Sequence, residues 1–207
     1  MAAMRLLETG RHVPLMVEAG MVGYLPSPAD PFLFNYRNMF NGSMLCDVLT
    51  VLGVMTGGPR NRSIGVLGAA QIDSDGNLNT SRLPNLLLTG SGGGNDIASG
   101  ASEILVTIGH ARNRLVGKLD FRTSPGRAVR TIVTPQGVLE RSGADEPFRL
   151  TRVMAGEGSS LAQQIAAARD GCGWDLQFAE QVEIEAPPTS DEIELCRLLD
   201  PTGLFLG

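Results

Sequence analysis

The 207-residue sequence predicts an α/β fold built on an open sheet, in a single domain spanning residues 1–207. Three observations carry that expectation. Short apolar runs bounded by turn residues, among them Val13–Val17, Ser63–Ala69 and Ser102–Ile108, read as buried strands. The runs Leu161–Arg169 and Asp191–Leu199, each led in by Ser or Thr, read as helices. Leu86–Thr89 opens directly into Gly90-Ser91-Gly92-Gly93-Gly94, the order of strand, glycine loop and helix start that presents backbone N–H groups to an anion or oxyanion.

Composition narrows the class of function. A chain with 43% hydrophobic and 19% charged residues is large enough for one well-packed core. Its formal charge of -5 offers no basic excess to neutralise phosphates, so no nucleic-acid partner is expected and an anionic ligand needs local cations. Cys46, Cys172 and Cys196 are odd in number and scattered, which argues against a disulfide framework and a zinc site. No metal is expected, and a reducing cytoplasm fits. No window approaches the ~20 apolar residues of a membrane span, and Met1–Gly10 lacks the apolar core of a signal peptide.

Along the chain, Ala2–Thr9 reads as a short helix stopped by Gly10. The run Val13–Val17 follows, and Glu18 stands where that strand leaves the sheet, the crevice position at which open α/β sheets bind ligands. Gly20 and Gly23 let backbone or ligand approach closely; the alternative for Glu18 is a solvated turn residue. Pro26, Pro28 and Pro31 make a stiff loop. Phe32, Phe34, Tyr36 and Phe40, four of ten aromatics, either wall an acyl pocket or pack beneath that loop.

Met44–Met55 is read as a helix near Asp47, then Ser63–Ala69 as a strand. Asp75-Gly76-Asn77 makes a tight turn. The alternating oxygens of Asp73, Asp75, Asn77 and Asn79 resemble a calcium loop but lack the twelfth-position Glu and the flanking helices. The glycine loop meets neither the dinucleotide fingerprint nor a P-loop, and its two uses, binding and helix capping by Asn95 or Asp96, both stand. His110, Arg112, Arg114 and Lys118 form a basic segment, suited to cofactor phosphates or to a solvated face, with lone His110 read as a structural hydrogen-bonder. Arg130–Thr134 and Val138–Arg141 form a hairpin, followed by the strand Phe148–Met154, the helix Leu161–Arg169 capped at Ser159 or Ser160, the short strand Trp174–Phe178 and the last helix.

Four stretches in this order resemble the β subunit of class I coenzyme A transferases, the family of glutaconate and 3-oxoacid CoA-transferases. Val17-Glu18-Ala19-Gly20-Met21-Val22-Gly23 lies in place of that family's catalytic S-E-N-G-x-x-G. Gly68–Asn79 matches its G-A-x-Q-V-D-x-x-G-x-x-N segment, and Gly90–Asp96 its G-x-G-G-x-x-D loop. His110–Val116 and Asp120-Phe121-Arg122-Thr123-Ser124-Pro125-Gly126 match its basic stretch and D-F-x-T-S-P-G turn. Val17 and Ala19 depart from the family's Ser and Asn, and the N-terminal part is shorter than its usual β subunit.

The resemblance implies an open, mostly parallel sheet with helices on both faces, of the CoA-transferase type within the ribose-5-phosphate isomerase-like superfamily. It implies that Glu18 is the nucleophile of a transfer of CoA between an acyl-CoA and a carboxylic acid, through a glutamyl-CoA thioester. Gly92, Gly93, Gly94 and Gln71 are then the oxyanion and CoA-binding candidates, and Arg112 or Arg114 the contact for CoA phosphates. CoA enters as acyl-CoA substrate, with no permanently bound cofactor, and the partner is an alpha-type subunit in a heterodimer or heterotetramer. Two other readings keep the fold: an acyl-CoA hydrolase or decarboxylase, and a non-catalytic subunit.

Overall fold

The structure is a computed structural model and describes residues 9–28, 36–156 and 158–204. It divides into two compact units, Met1–Met55 with Pro188–Gly207, and Thr56–Pro187. The helix expected from Ala2, and the aromatics Phe32 and Phe34, lie outside the described residues.

In the first unit, β1 (Leu15–Val17) and β2 (Met21–Tyr24) form an antiparallel hairpin, and β3 (Met44–Leu45) pairs antiparallel with β2. Leu15, Val17, Met21 and Tyr24 make a small core of their own: Leu15 and Val17 share a face by period two, and a register shift between Leu15 and Met16 brings Tyr24, three residues from Met21, opposite Leu15. The strand leading to Glu18 therefore belongs to a three-stranded antiparallel sheet, not to the open sheet expected for it. Period two places Leu15 and Val17 on one face either way, so the pattern cannot say which sheet a three-residue strand joins. The helix expected over Met44–Met55 is β3 followed by a π-helix at Leu49–Thr56. Around α1 (Tyr36–Met39), the Asn38 carboxamide accepts from the Ser27 N–H at 2.8 Å. The last helix, α4 (Ser190–Leu199), begins in a capping box in which Thr189 and Glu192 satisfy each other's backbone N–H groups.

The second unit is organised by a six-stranded sheet. Its strands are β4 (Ile64–Gly68), β9 (Glu103–Thr107), β11 (Val129–Thr134), β12 (Gly137–Glu140), β13 (Arg149–Met154) and β14 (Gln177–Glu185). They stand side by side in the order β14-β13-β12-β11-β9-β4. The pairs β4–β9, β9–β11 and β13–β14 are parallel, while β12 returns antiparallel between β11 and β13. Ile104, Val106, Ile132, Leu139, Leu150 and Val153 pack in one core and are fully enclosed. Burial of each such side chain stabilises the fold by about 1.5–3 kcal/mol. Ile97 from α2 (Gly94–Gly100), with Ile165 and Ala168 from α3 (Leu161–Asp170), completes that core. The Ser160–Gln163 capping box starts α3, at the second of the two serines offered by the sequence. β14 runs well past the expected Trp174–Phe178 as the edge strand paired only with β13, with Glu180 and Glu183 exposed and Glu185 ion-paired to Arg152 at 3.5 Å.

Two smaller sheets complete this unit. β10 (Leu115–Val116) runs parallel to β5 (Gln71–Asp73), which turns back into β6 (Leu78–Asn79). β7 (Arg82–Leu83) and β8 (Leu86–Leu87) form a separate antiparallel hairpin. The strand ahead of the glycine loop is thus a hairpin arm and not a member of the main sheet. A two-residue pairing leaves no periodicity long enough to distinguish the two cases.

Candidate functional site

Glu18 opens the turn Glu18-Ala19-Gly20 between β1 and β2, closed by the Gly20 N–H donating to the Val17 carbonyl at 2.9 Å. Gly20 has φ +106°, and an added Cβ there would overlap the Cys46 carbonyl oxygen. Only glycine fits both demands. The Cys46 N–H donates to the Gly20 carbonyl at 2.9 Å and its thiol reaches the same oxygen at 3.5 Å. Glu18 is consequently half-buried on a turn fixed from two directions. No hydrogen bond or ion pair engages its carboxylate among the described residues. Cys46 was not singled out by the sequence, because nothing local links it to a turn more than twenty residues earlier.

At the opposite, open end of this hairpin lies a cavity of about 420 Å3 lined by His12, Pro14, Leu15, Tyr24 and Asn41 among others. Leu15 pairs with Tyr24 there, whereas Val17 pairs with Met21 beside Glu18. The cavity is therefore displaced from the carboxylate along the strands. Burial pushes the Tyr24 phenol above its ordinary pKa.

The other predicted residues belong to the second unit: Gln71 follows β4, Arg112 and Arg114 follow β9, and the glycine loop follows the hairpin arm β8. α2 runs back against β4, with Gly94 facing Leu67 and Gly100 against Gly57, so its N-terminus meets the end of β4. Gly92 has φ +53° and Gly93 caps α2 with no side-chain hydrogen bond. Neither Asn95 nor Asp96 supplies the cap considered for it. An added Cβ on Gly90 would meet nothing within 4 Å, so this loop is open.

Gln71 sits at the start of β5. Its amide nitrogen donates to the Asn113 carbonyl at 3.0 Å and its oxygen accepts from the Asn79 amide at 2.9 Å. The fold thus brings Gln71 against the basic segment, holding Asn113 between Arg112 and Arg114. Arg112 donates from Nε to the Asp170 carbonyl at 2.7 Å, while its guanidinium and that of Arg114 remain exposed. Neither arginine forms an ion pair among the described residues. His110 bridges Thr134 Oγ1 at 2.9 Å and the Ala168 carbonyl at 2.8 Å, as a structural hydrogen-bonder should. Its burial lowers the imidazole pKa, partly countered by the Ala168 hydrogen bond.

The remaining motifs interlock. Asp73 accepts from the Asp75 and Asn77 N–H groups and from the Asn77 amide, which uses its carboxylate internally and gives the loop a reason for its oxygens other than calcium. No group of three potential metal ligands occurs among the described residues. Gly76, with φ +85°, packs directly against Gly126. Buried Arg141 then pins the pair, donating to the carbonyls of Gly126, Val129 and Ala144 while its guanidinium lies 4.3 Å from the Phe148 ring centroid. No helix among the described residues is long and apolar enough to cross a membrane.

Residues 41–140 match the family described as Coenzyme A transferase. The chain is 32% identical over 157 residues to the B-type subunit of 3-oxoadipate CoA-transferase from Pseudomonas knackmussii, covering 66% of this chain and 58% of that protein. It is 30% identical over 168 residues to the B-type subunit of glutaconate CoA-transferase from Acidaminococcus fermentans, covering 70% and 60% respectively. The crystal structure of the latter organism's glutaconate coenzyme A-transferase superposes with a TM-score of 0.84 at 24% identity, over 100% of this chain and 86% of that one. The decarboxylase AibA/AibB shares the fold at a TM-score of 0.75 and 18% identity, over 92% of this chain and 78% of that one. The chain spans about three-fifths of the length of the curated relatives it matches.

Proposed function

The chain belongs to the coenzyme A transferase family, and from that membership we propose that it is the B-type half of a two-subunit enzyme that moves CoA from an acyl-CoA to a carboxylic acid. One observation carries the reading: a half-buried carboxylate, Glu18, stands on a rigid turn with no protein partner among the described residues. A carboxylate held that way is a usable nucleophile. A carboxylate spent on an ion pair or a cap is not.

The chemistry follows in balanced steps. A Glu18 oxygen attacks the thioester carbon, the C–S bond breaks, and CoA leaves as thiolate from a mixed anhydride. The thiolate then attacks the Glu18 carbonyl carbon, expelling the first carboxylate and leaving a glutamyl-CoA thioester. The acceptor acid repeats both steps in reverse order, which restores Glu18. Covalent catalysis of this kind divides one difficult exchange into easier ones. Since a carboxylate is a weak nucleophile, orientation must supply much of the rate, and it can be worth about 7–11 kcal/mol. The rigidity of the Gly20–Cys46 turn supports that role.

Each attack builds charge on a carbonyl oxygen. The N–H groups around Gly92, Gly93 and Gly94 are our candidates to receive it, supported by an open loop with no competing side-chain cap. One such donor is typically worth about 2.7–4 kcal/mol. We assign CoA phosphates to exposed Arg112 and Arg114, and to Gln71 the task of holding the Asn113 segment between them. Binding energy from that distant end can be used at the reacting carbon. CoA is substrate here, and three free cysteines agree with a reducing cytoplasm.

Incubation of the assembled complex with acyl-CoA, followed by borohydride or hydroxylamine and peptide mapping, tests the reading. The expected result is modification at Glu18 that requires acyl-CoA. Turnover with Glu18 unmodified would overturn the covalent route.

A further inference from the structure

Between Arg37 and Arg60 the sequence contains one charged residue, Asp47. Its carboxylate is occupied locally, accepting from the Thr50 N–H at 2.8 Å and the Thr50 hydroxyl at 3.1 Å. The rest of the stretch is uncharged, and several of its large apolar side chains stand in solvent: Phe40 is 73% exposed, Leu45 60%, Leu49 76% and Val54 65%. The Phe40 ring is already ordered against Tyr36 in an edge-on pair with centroids 5.1 Å apart. Of the large side chains in the π-helix, Val51 is enclosed while Leu49 and Val54 point outward.

Together with Tyr36, Met44 and Val48, these side chains expose apolar area on the order of 800 Å2, taking the usual size of such residues, which is what each partner contributes to a stable interface. A monomer seldom leaves so large an apolar stretch uncovered. This surface is also tied to the candidate nucleophile. β3 lies within it, and the strand's continuation at Cys46 holds the Gly20 carbonyl.

We infer that the segment 36–54 is the seat of the A-type subunit, an inference that rests on the two-subunit reading above. An interface with almost no charge needs an equally apolar, uncharged counter-face, the character of a permanent complex and not of a transient one. Docking there clamps β3 and with it the turn bearing Glu18, so assembly and activity rise together.

The test co-expresses tagged chain with the A-type coenzyme A transferase subunit of the same genome. Leu49→Lys and Val54→Lys alter exposed positions in the segment; Ile64→Lys alters an exposed position of β4 in the other unit. Hydrogen exchange is followed on the wild-type complex and on the chain alone. Expected are co-purification of wild type and Ile64→Lys, at least a hundredfold weaker capture by the two segment variants, and at least tenfold slower exchange across 36–54 in the complex. Undiminished capture by Leu49→Lys and Val54→Lys, unchanged exchange in 36–54, loss confined to Ile64→Lys, or a homodimer occupying 36–54 while the A-type partner docks elsewhere would each overturn the inference alone. Failure of wild type to capture any A-type partner would remove the two-subunit reading and this inference with it.

Discussion

Gly20 and Cys46 are packed backbone to backbone, with the Cys46 N–H on the Gly20 carbonyl and the Cys46 carbonyl in the space a Gly20 side chain would need. Gly20→Ala should therefore suffer twice, from φ +106° and from the overlap. Strain of this kind costs about 1–3 kcal/mol before any overlap is relieved. The expected outcome is a lower urea midpoint and loss of acyl-CoA-dependent labelling at Glu18. Wild-type labelling in a folded Gly20→Ala protein would show that the turn does not position the carboxylate.

Glu18→Gln keeps the shape of the turn and removes the nucleophile. Exchange by the assembled complex should fall by at least about 10⁴-fold, the scale seen when a covalent nucleophile is deleted, while thermal unfolding stays near wild type because the Glu18 carboxylate has no hydrogen bond or ion pair among the described residues to lose. Isotope exchange between acyl-CoA and its free acid is the measurement. Largely intact exchange would mean that catalysis resides wholly in the partner.

Arg112→Ala with Arg114→Ala should raise KM for acyl-CoA with little change in kcat, and should weaken the salt dependence of KM. A charge-assisted hydrogen bond is worth about 1.5–3 kcal/mol, so an increase on the order of tenfold or more is expected if one of the pair meets a phosphate. Removal of the bond from Arg112 to the Asp170 carbonyl is a structural effect that unfolding measurements separate.

His110 makes stability depend on pH. Burial first, against an opposing Ala168 hydrogen bond, places its folded pKa below the ordinary 6.5. The unfolded chain therefore binds the proton more readily, so His110's contribution is complete above about pH 6.5 and is lost as pH falls through its folded pKa. Urea midpoints measured from pH 8 to pH 5 should decline at the acid end, and His110→Gln should flatten that decline relative to wild type.

Arg141 is buried with no ion pair among the described residues and spends its guanidinium on three carbonyls and the Phe148 ring. Arg141→Met should leave the Ala144 carbonyl without its donor, while the Gly126 carbonyl keeps the Val129 N–H and the Val129 carbonyl keeps the Arg130 guanidinium, and should destabilise by about 1–3 kcal/mol, the cost of one buried group left unpaired. Arg141→Lys should rescue little, since an ammonium cannot reproduce the planar fork. Faster amide exchange at Gly76 and Gly126 in urea-free buffer would locate the damage.

Local chemistry was readable wherever its cause is local. Ser160 with Gln163 and Thr189 with Glu192 lie three residues apart, so both helix starts follow from neighbouring side chains. β9, β11, β12 and β13 follow from short apolar, β-branched runs bounded by turn residues. The strand before Glu18 and the one before Gly90 were recognised as extended, yet both pair in small antiparallel sheets. Extended conformation is encoded in each segment, whereas the choice of partner is decided by surfaces far away in sequence.

By itself the sequence determined that Glu18 follows an extended apolar run and that glycine stands two residues on, and its motif order pointed to the family. Tertiary structure alone decided that this carboxylate rides a hairpin turn held by Cys46, that Gln71 is engaged at both ends of its amide, and that Arg141 locks Gly126 against Gly76. The physical reason is distance along the chain. A turn or a cap is stabilised within a few residues, while the rigidity that makes a nucleophile useful comes from groups that meet only after the chain has folded.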